Sequence, residues 1–135
     1  MKIASTKYSD TAISFAALIL RLSLGLLMLI PHGWDKLQHF SEKSHNFLDP
    51  LHIGHSLSLV LVIFSEFFCS IFIILGLFTR LACIPLIIQM LVIIFLLHHG
   101  NVLPDAEQEG LYLAGYLALI FMGPGKVSVD KLIGK

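Results

Sequence analysis

The sequence predicts an all-α fold: a transmembrane four-helix bundle with both termini on the cytoplasmic side. Three observations carry this reading. The chain has 135 residues, of which 56% are apolar and only 13% charged, with a mean hydropathy of +0.86; soluble domains carry roughly 25% charged residues. Two long apolar stretches, residues 57–78 and 80–98, are separated by almost nothing. Each is long enough for a hydrocarbon core, which takes about 20 helical residues at ~1.5 Å rise. A third apolar run extends from Thr11 to Pro31. The length fits one domain, taken as residues 1–135.

The first helix is read over residues 11–32. Lys2 and Lys7 precede it as they would in a signal peptide, but the apolar run exceeds the roughly 7–15 residues of a signal core, and no small-x-small pattern ends it convincingly. It is therefore read as a retained helix. Arg21 is its one charged residue and shares a face with Gly25, Met28 and His32. Pro31 is expected to bend or end it. The connection to the second helix has an apolar side, including Trp34, Leu37, Phe40, Phe47 and Leu51. From Trp34 to about Asn46 it reads as an amphipathic segment lying on the membrane surface, with Trp34 and Lys36 as interfacial anchors.

The second helix, 57–78, carries Glu66 near its middle, on a stripe with Cys69, Ser70, Ile73, Leu77 and Arg80. The third, 80–98, holds Pro85 in its first turns, where a proline disrupts least, and one strongly polar interior residue, Gln89. The fourth, 109–123, is short for a span and stops at GPGK. A polar tail, VSVDKLIGK, follows.

Charge sets the expected topology. Lys2, Lys7, Arg80, Lys126, Lys131 and Lys135 fall on one side; the other has Lys36 and Lys43 against Asp35, Glu42, Asp49, Asp105, Glu107 and Glu109. The positive-inside rule then places both termini in the cytoplasm, and all seven histidines on or near the outer side. Nine Lys+Arg balance nine Asp+Glu, so nothing points to nucleic acid. No HExxH and no Cys/His ligand grid is present, and His52 and His55 lie at a helix break, so no metal site is expected. Cys69 and Cys83 form no CxxC and are expected at different depths, so no disulfide is expected and the chain has no dithiol of its own.

Arg21–Gly25, HGWDKL at 32–37, FLDP at 47–50, the hairpin at 65–90, His98, Glu109 and the closing GPGKVSVD occur together in this order. In this combination the chain resembles the DoxX family of small bacterial membrane proteins, over nearly its whole length. Gly54-His55 stands where members commonly carry Gly-Pro. The resemblance implies a four-helix inner-membrane protein. It also implies, through occasional members, an accessory role in quinone-linked or other membrane redox assemblies.

The sharpest candidate feature is Arg21 with Glu66. Both are expected near the membrane midplane, where an unpaired charge costs at least ~2.5–3.5 kcal/mol. A guanidinium can grip a carboxylate bidentately. An Arg21–Glu66 pair would fix helix register or form a polar centre for the head of an amphipathic ligand such as a quinone. An outer-mouth group of His32, Lys36, His98, Glu109 and Tyr112 would complete this quinone or lipid-headgroup site, since a quinone carbonyl accepts hydrogen bonds from His, Lys or Tyr. His99 and Glu107 lie beside that group. No cofactor is encoded; a quinone would be borrowed from the bilayer and redox centres from a partner protein. The competing reading is a non-catalytic scaffold for another envelope protein, using the 33–56 loop as its contact surface. A homo-oligomer is compatible with either.

Overall fold

The computed structural model describes residues 2–134; Met1 and Lys135, the latter one of the charges used for topology, lie outside the described residues. The described chain is helical with no strand. Helix α1 spans Asp10–Gln38, α2 Phe40–Lys43, α3 His55–Leu75, α4 Thr79–Leu97, α5 Glu107–Met122 and α6 Val129–Leu132. Helices α1, α3 and α4 are each long and apolar enough to cross a membrane. Helix α5 packs against α4 and α1, while α3 packs against α1 and α4, so the four longer helices close a ring of contacts.

Ser9 starts α1 by accepting a hydrogen bond from the Ala12 N–H at 3.1 Å. The expected end at His32 is corrected: α1 runs through Pro31 to Gln38. Proline lacks an N–H and would leave a gap in the α-helical ladder, and here the backbone widens into a π turn at Leu29–Trp34 and continues. Trp34–Gln38 is thus the last part of α1 rather than a separate amphipathic segment; Phe40–Lys43 forms a short helix of its own. Two further π turns interrupt α3 at Phe64–Cys69 and α4 at Ile93–Leu97. Helix α3 ends at Gly76, whose φ of +71° is a left-handed cap that a side chain would strain.

The packing is apolar outward and partly polar inward. Phe15, Ile19, Leu27, Ile30, Ile88, Phe95 and Phe121 are exposed, whereas Arg21, Ser65, Glu66, Ser70 and Thr79 are buried beside a core of Met28, Ile73, Leu86, Met90, Tyr116 and Leu119. Lipid makes this arrangement favourable. Apolar surface costs nothing in hydrocarbon, and polar side chains face the protein interior. Cys69 and Cys83 are both free thiols within this core.

One end of the ring is tied by the tail. Arg21 spreads its guanidinium over four carbonyls: Nε donates to Ile73 (3.0 Å), Nη2 to Ile74 (2.8 Å), and Nη1 to Pro124 (3.0 Å) and Val127 (2.5 Å). The Ile73 and Ile74 carbonyls belong to the last turn of α3, where carbonyls outnumber the backbone N–H groups that can reach them and a cation is favoured. Asp130 completes the junction. Its carboxylate accepts from the N–H groups of Phe78 (2.7 Å) and Thr79 (3.1 Å), capping α4, and its own N–H donates to Gly76 (2.9 Å). These bonds hold Phe78 at φ +48°. Arg80 donates to the Ile120 carbonyl at 2.8 Å, tying the end of α5 to the start of α4.

Removing the Arg21 side chain leaves the Ile74, Pro124 and Val127 carbonyls short of this donor in a buried place, while Ile73 keeps the Gly76 N–H. Arg21→Ala is expected to cost about 3 kcal/mol or more, at roughly 1–3 kcal/mol per unsatisfied group. Arg21→Lys should restore only part of this, because an ammonium lacks the planar fork that spans four acceptors. Unfolding in detergent, followed by circular dichroism, checks both; a wild-type midpoint for Arg21→Ala would refute the clamp.

Candidate functional site

The site is built where the π turns of α1 and α3 cross. A Cβ placed on Gly33 would stand 2.6 Å from the Glu66 carbonyl oxygen, so the two backbones are in contact and only glycine fits. Three residues further along α1, Lys36 reaches down onto Glu66: Nζ to Oε1 is 2.7 Å. On the other carboxylate oxygen, Gln89 Nε2 of α4 donates at 2.6 Å. The Ser65 hydroxyl donates to Gln89 Oε1, which holds the amide with its NH2 group toward Glu66. Glu66 is therefore an anion held by a cation and a neutral donor, with its side chain only 6% exposed.

Beside this triad lies a cavity of about 540 Å³. Its polar end is Lys36, Ser65, Glu66 and Gln89, with His98 and Glu109 further along the same wall. Apart from Ser58, whose hydroxyl is taken by Asp49, the rest is apolar: Leu61 and Val62 of α3, Pro85, Ile88 and Val92 of α4, and a loop wall of Phe47, Leu48, Leu51 and Ile53. This is the shape and size of a site for one drug-sized amphipathic molecule, apolar with a few converging polar groups. On the other side of Glu66 a second, small chamber of about 40 Å³ is lined by Met28, His32, Met90, Gln108 and Tyr112. Glu66 and Glu109 line both spaces. His32 Nε2 and Gln108 Nε2 are 3.1 Å apart, His32 meets the Tyr112 ring edge-on at a 6.4 Å centroid distance, and Tyr112 stacks on Tyr116 at 6.0 Å.

The loop wall is held by Asp49. Its carboxylate accepts from the N–H groups of Ile53 (2.9 Å) and Gly54 (2.8 Å) and from the Ser58 hydroxyl (2.9 Å). The His55 ring bonds the Phe47 carbonyl. Desolvation opposes ionisation of Asp49, yet these three hydrogen bonds and the nearby His55 together hold its carboxyl below the usual carboxylate range.

The structure brings Lys36 and Glu66 together in the triad, and gathers His32, His98, Glu109 and Tyr112 around the same two spaces. It does not bring Arg21 there. The expected Arg21–Glu66 pair is corrected: Arg21 lies level with Gly76, since a Cβ on Gly76 would be 2.9 Å from Arg21 Nη2. Gly76 is ten residues from Glu66, about 15 Å along α3. Taking α1 to end at His32 put Arg21 at its midpoint and hid the level of Lys36. Gln89 was visible as the one strongly polar residue of an apolar helix. Its pairing with Glu66 is also written in the chain: both lie about eleven residues from the Leu77–Phe78 turn, on opposite arms of the hairpin. Ser65 and the 47–53 wall carry no such signal. Among the described residues no three His, Cys, Asp or Glu side chains converge as metal ligands.

A family model described as DoxX matches residues 16–99. Neither a curated protein nor a solved structure matches the chain. The matched span includes Gly33, Lys36, Glu66 and Gln89, the whole triad with its crossing point, and stops before α5 and the tail.

Gly33→Ala must push α1 and α3 apart at backbone level and is expected to cost about 1–3 kcal/mol or more. An unchanged unfolding midpoint would show that the crossing is not tight. The Asp49 interaction has a definite pH sign. Its folded pKa is depressed, so the stabilisation is present above the unfolded value of about 3.9 and is lost as pH falls through the lower folded value. Amides of Ile53 and Gly54 should exchange slowly at pH 6 and open in acid, while Asp49→Ala opens them at both; hydrogen exchange with mass spectrometry reads this.

Proposed function

This chain belongs to the DoxX family, a membrane protein family, and on that premise we propose that it binds a quinone, or an amphipathic molecule with a similar polar head, as an accessory subunit of a redox assembly in the bacterial inner membrane. In this reading α5 is the fourth span, its 16 residues covering about 24 Å. Both termini face the cytoplasm, as the lysine and arginine distribution favours.

The observation that carries the reading is the Lys36–Glu66–Gln89 cluster in the wall of a mostly apolar 540 Å³ cavity. An ammonium has three N–H donors and Glu66 takes one, so Lys36 keeps donors for a carbonyl or anionic head without leaving its counterion. Pro85, Ile88 and Val92 offer an apolar wall for a tail. Glu66 with Lys36 keeps the empty site electrically balanced, which lowers the cost of holding charge at this depth. Electron transfer would need a partner protein, since the site residues are acid–base and hydrogen-bonding groups.

The test is extraction in mild detergent with mass spectrometry of copurifying lipids and proteins, comparing wild type with Lys36→Met/Glu66→Gln. That double change removes both charges together and should fold. Quinone retained by wild type and reduced about tenfold or more in the variant is the expected result, a loss of about 1.4 kcal/mol or more in binding. Equal retention, or none by wild type, overturns it; a protein partner held equally by both, without quinone, favours the scaffold reading.

A further inference from the structure

Glu66 stands between two spaces of different character. One is the large apolar cavity. The other is the 40 Å³ chamber, with room for about three waters and enough polar groups to hold them. The titratable and polar groups that share these two spaces with Glu66 are Lys36 and His32 from α1, Gln89 from α4, His98 just past its end, and Glu109, Gln108 and Tyr112 from α5. Along this series burial falls: Glu66 is buried, His32 and Glu109 are half-buried, and Gln108 is exposed. The chamber thus runs from a buried carboxylate to the surface at the start of α5, with His32, Gln108, Glu109 and Tyr112 as polar lining beside Met28, Met90 and Ile93.

We propose that this chamber is a water-bridged proton route by which Glu66 exchanges protons with the outer side through Glu109, His32 and Gln108. The step is acid–base only: a proton enters from outer water, passes along the chamber and is accepted by a Glu66 oxygen, which becomes a neutral carboxyl while Lys36 stays protonated. Lys36 then loses its counterion and turns toward an anionic or carbonyl acceptor in the large cavity. Proton uptake and ligand binding are thereby coupled, and this coupling rests on the ligand reading given above. The three π turns serve the same place. Two of them frame Glu66 and Gly33, and the third brings Ile93, which lines both spaces, and His98 to the level of Glu109.

The experiment is infrared spectroscopy of the protein in nanodiscs after a pH jump, following the carboxyl band between pH ~4 and ~9. Wild type should gain a buried-carboxyl band that Glu66→Gln lacks. His32→Phe/Gln108→Leu should keep that band but slow its appearance about tenfold or more. Glu109→Gln provides an independent variant with the same expected slowing. A band unaffected by Glu66→Gln, or wild-type kinetics in a folded route variant, overturns the proposal. Decylubiquinone binding across the same pH range is the second arm. An infrared response without binding leaves the route standing and sinks the ligand reading; binding without the response does the reverse.

Discussion

Hydrocarbon gives an ionised side chain no partner, so every charge carried inward must be answered by the protein itself. Glu66 lies inside at one level and Arg21, with Asp130, at another, and the structure is arranged around answering each. Glu66 is answered by Lys36 and Gln89, three helices meeting on one carboxylate. Arg21 is answered by carbonyls from the end of α3 and from the tail, with Asp130 attracting it from nearby. Had the two charges been paired directly, one polar point would have fixed the helices. Separated by about 15 Å, they fix two points along the same helix pair, which constrains tilt as well as register.

The π turns follow from the same demand. An α-helix of uniform pitch presents a given residue at one angle, and a single extra residue per turn rotates everything beyond it. In α1 the widened turn contains both the proline that would otherwise interrupt the ladder and Gly33 at the contact with α3, and it keeps Lys36 on a helix aimed at Glu66. In α3 the widened turn contains Glu66 itself. The irregularity is therefore concentrated where the polar chemistry is, while the outward faces remain apolar.

What the amino-acid sequence disclosed follows the same division. Long apolar runs, the short 76–79 turn, the isolated Glu66 and Gln89 and the polar outer residues are visible because each contrasts with its neighbours. Helical class and membrane character are legible for that reason. Lys36 as the cation on Glu66 is not, because that pairing depends on the register of α1 against α3, and register here is set by a glycine contact and a tail junction rather than by any periodicity. Reading Pro31 as a stop was reasonable for a uniform helix; the π turn makes it a passage. Pro124 and Val127 gave no sign of their part in the Arg21 clamp, since hydrogen-bond acceptors on the backbone look alike at every position.

The tail clamp also orders events during biosynthesis. Ile73 and Ile74 are made about fifty residues after Arg21, but Pro124 and Val127 emerge only once all four long helices have been translated. Until then half of the guanidinium's acceptors and the cap on α4 are missing. The inserted helices therefore remain loosely joined at that end, open to rearrangement or to capture by an insertase, and lock last. Surveillance of membrane proteins acts on such incompletely satisfied intermediates. A chain translated through α5 but not yet through Pro124–Asp130 would have every long helix present and its polar junction undone.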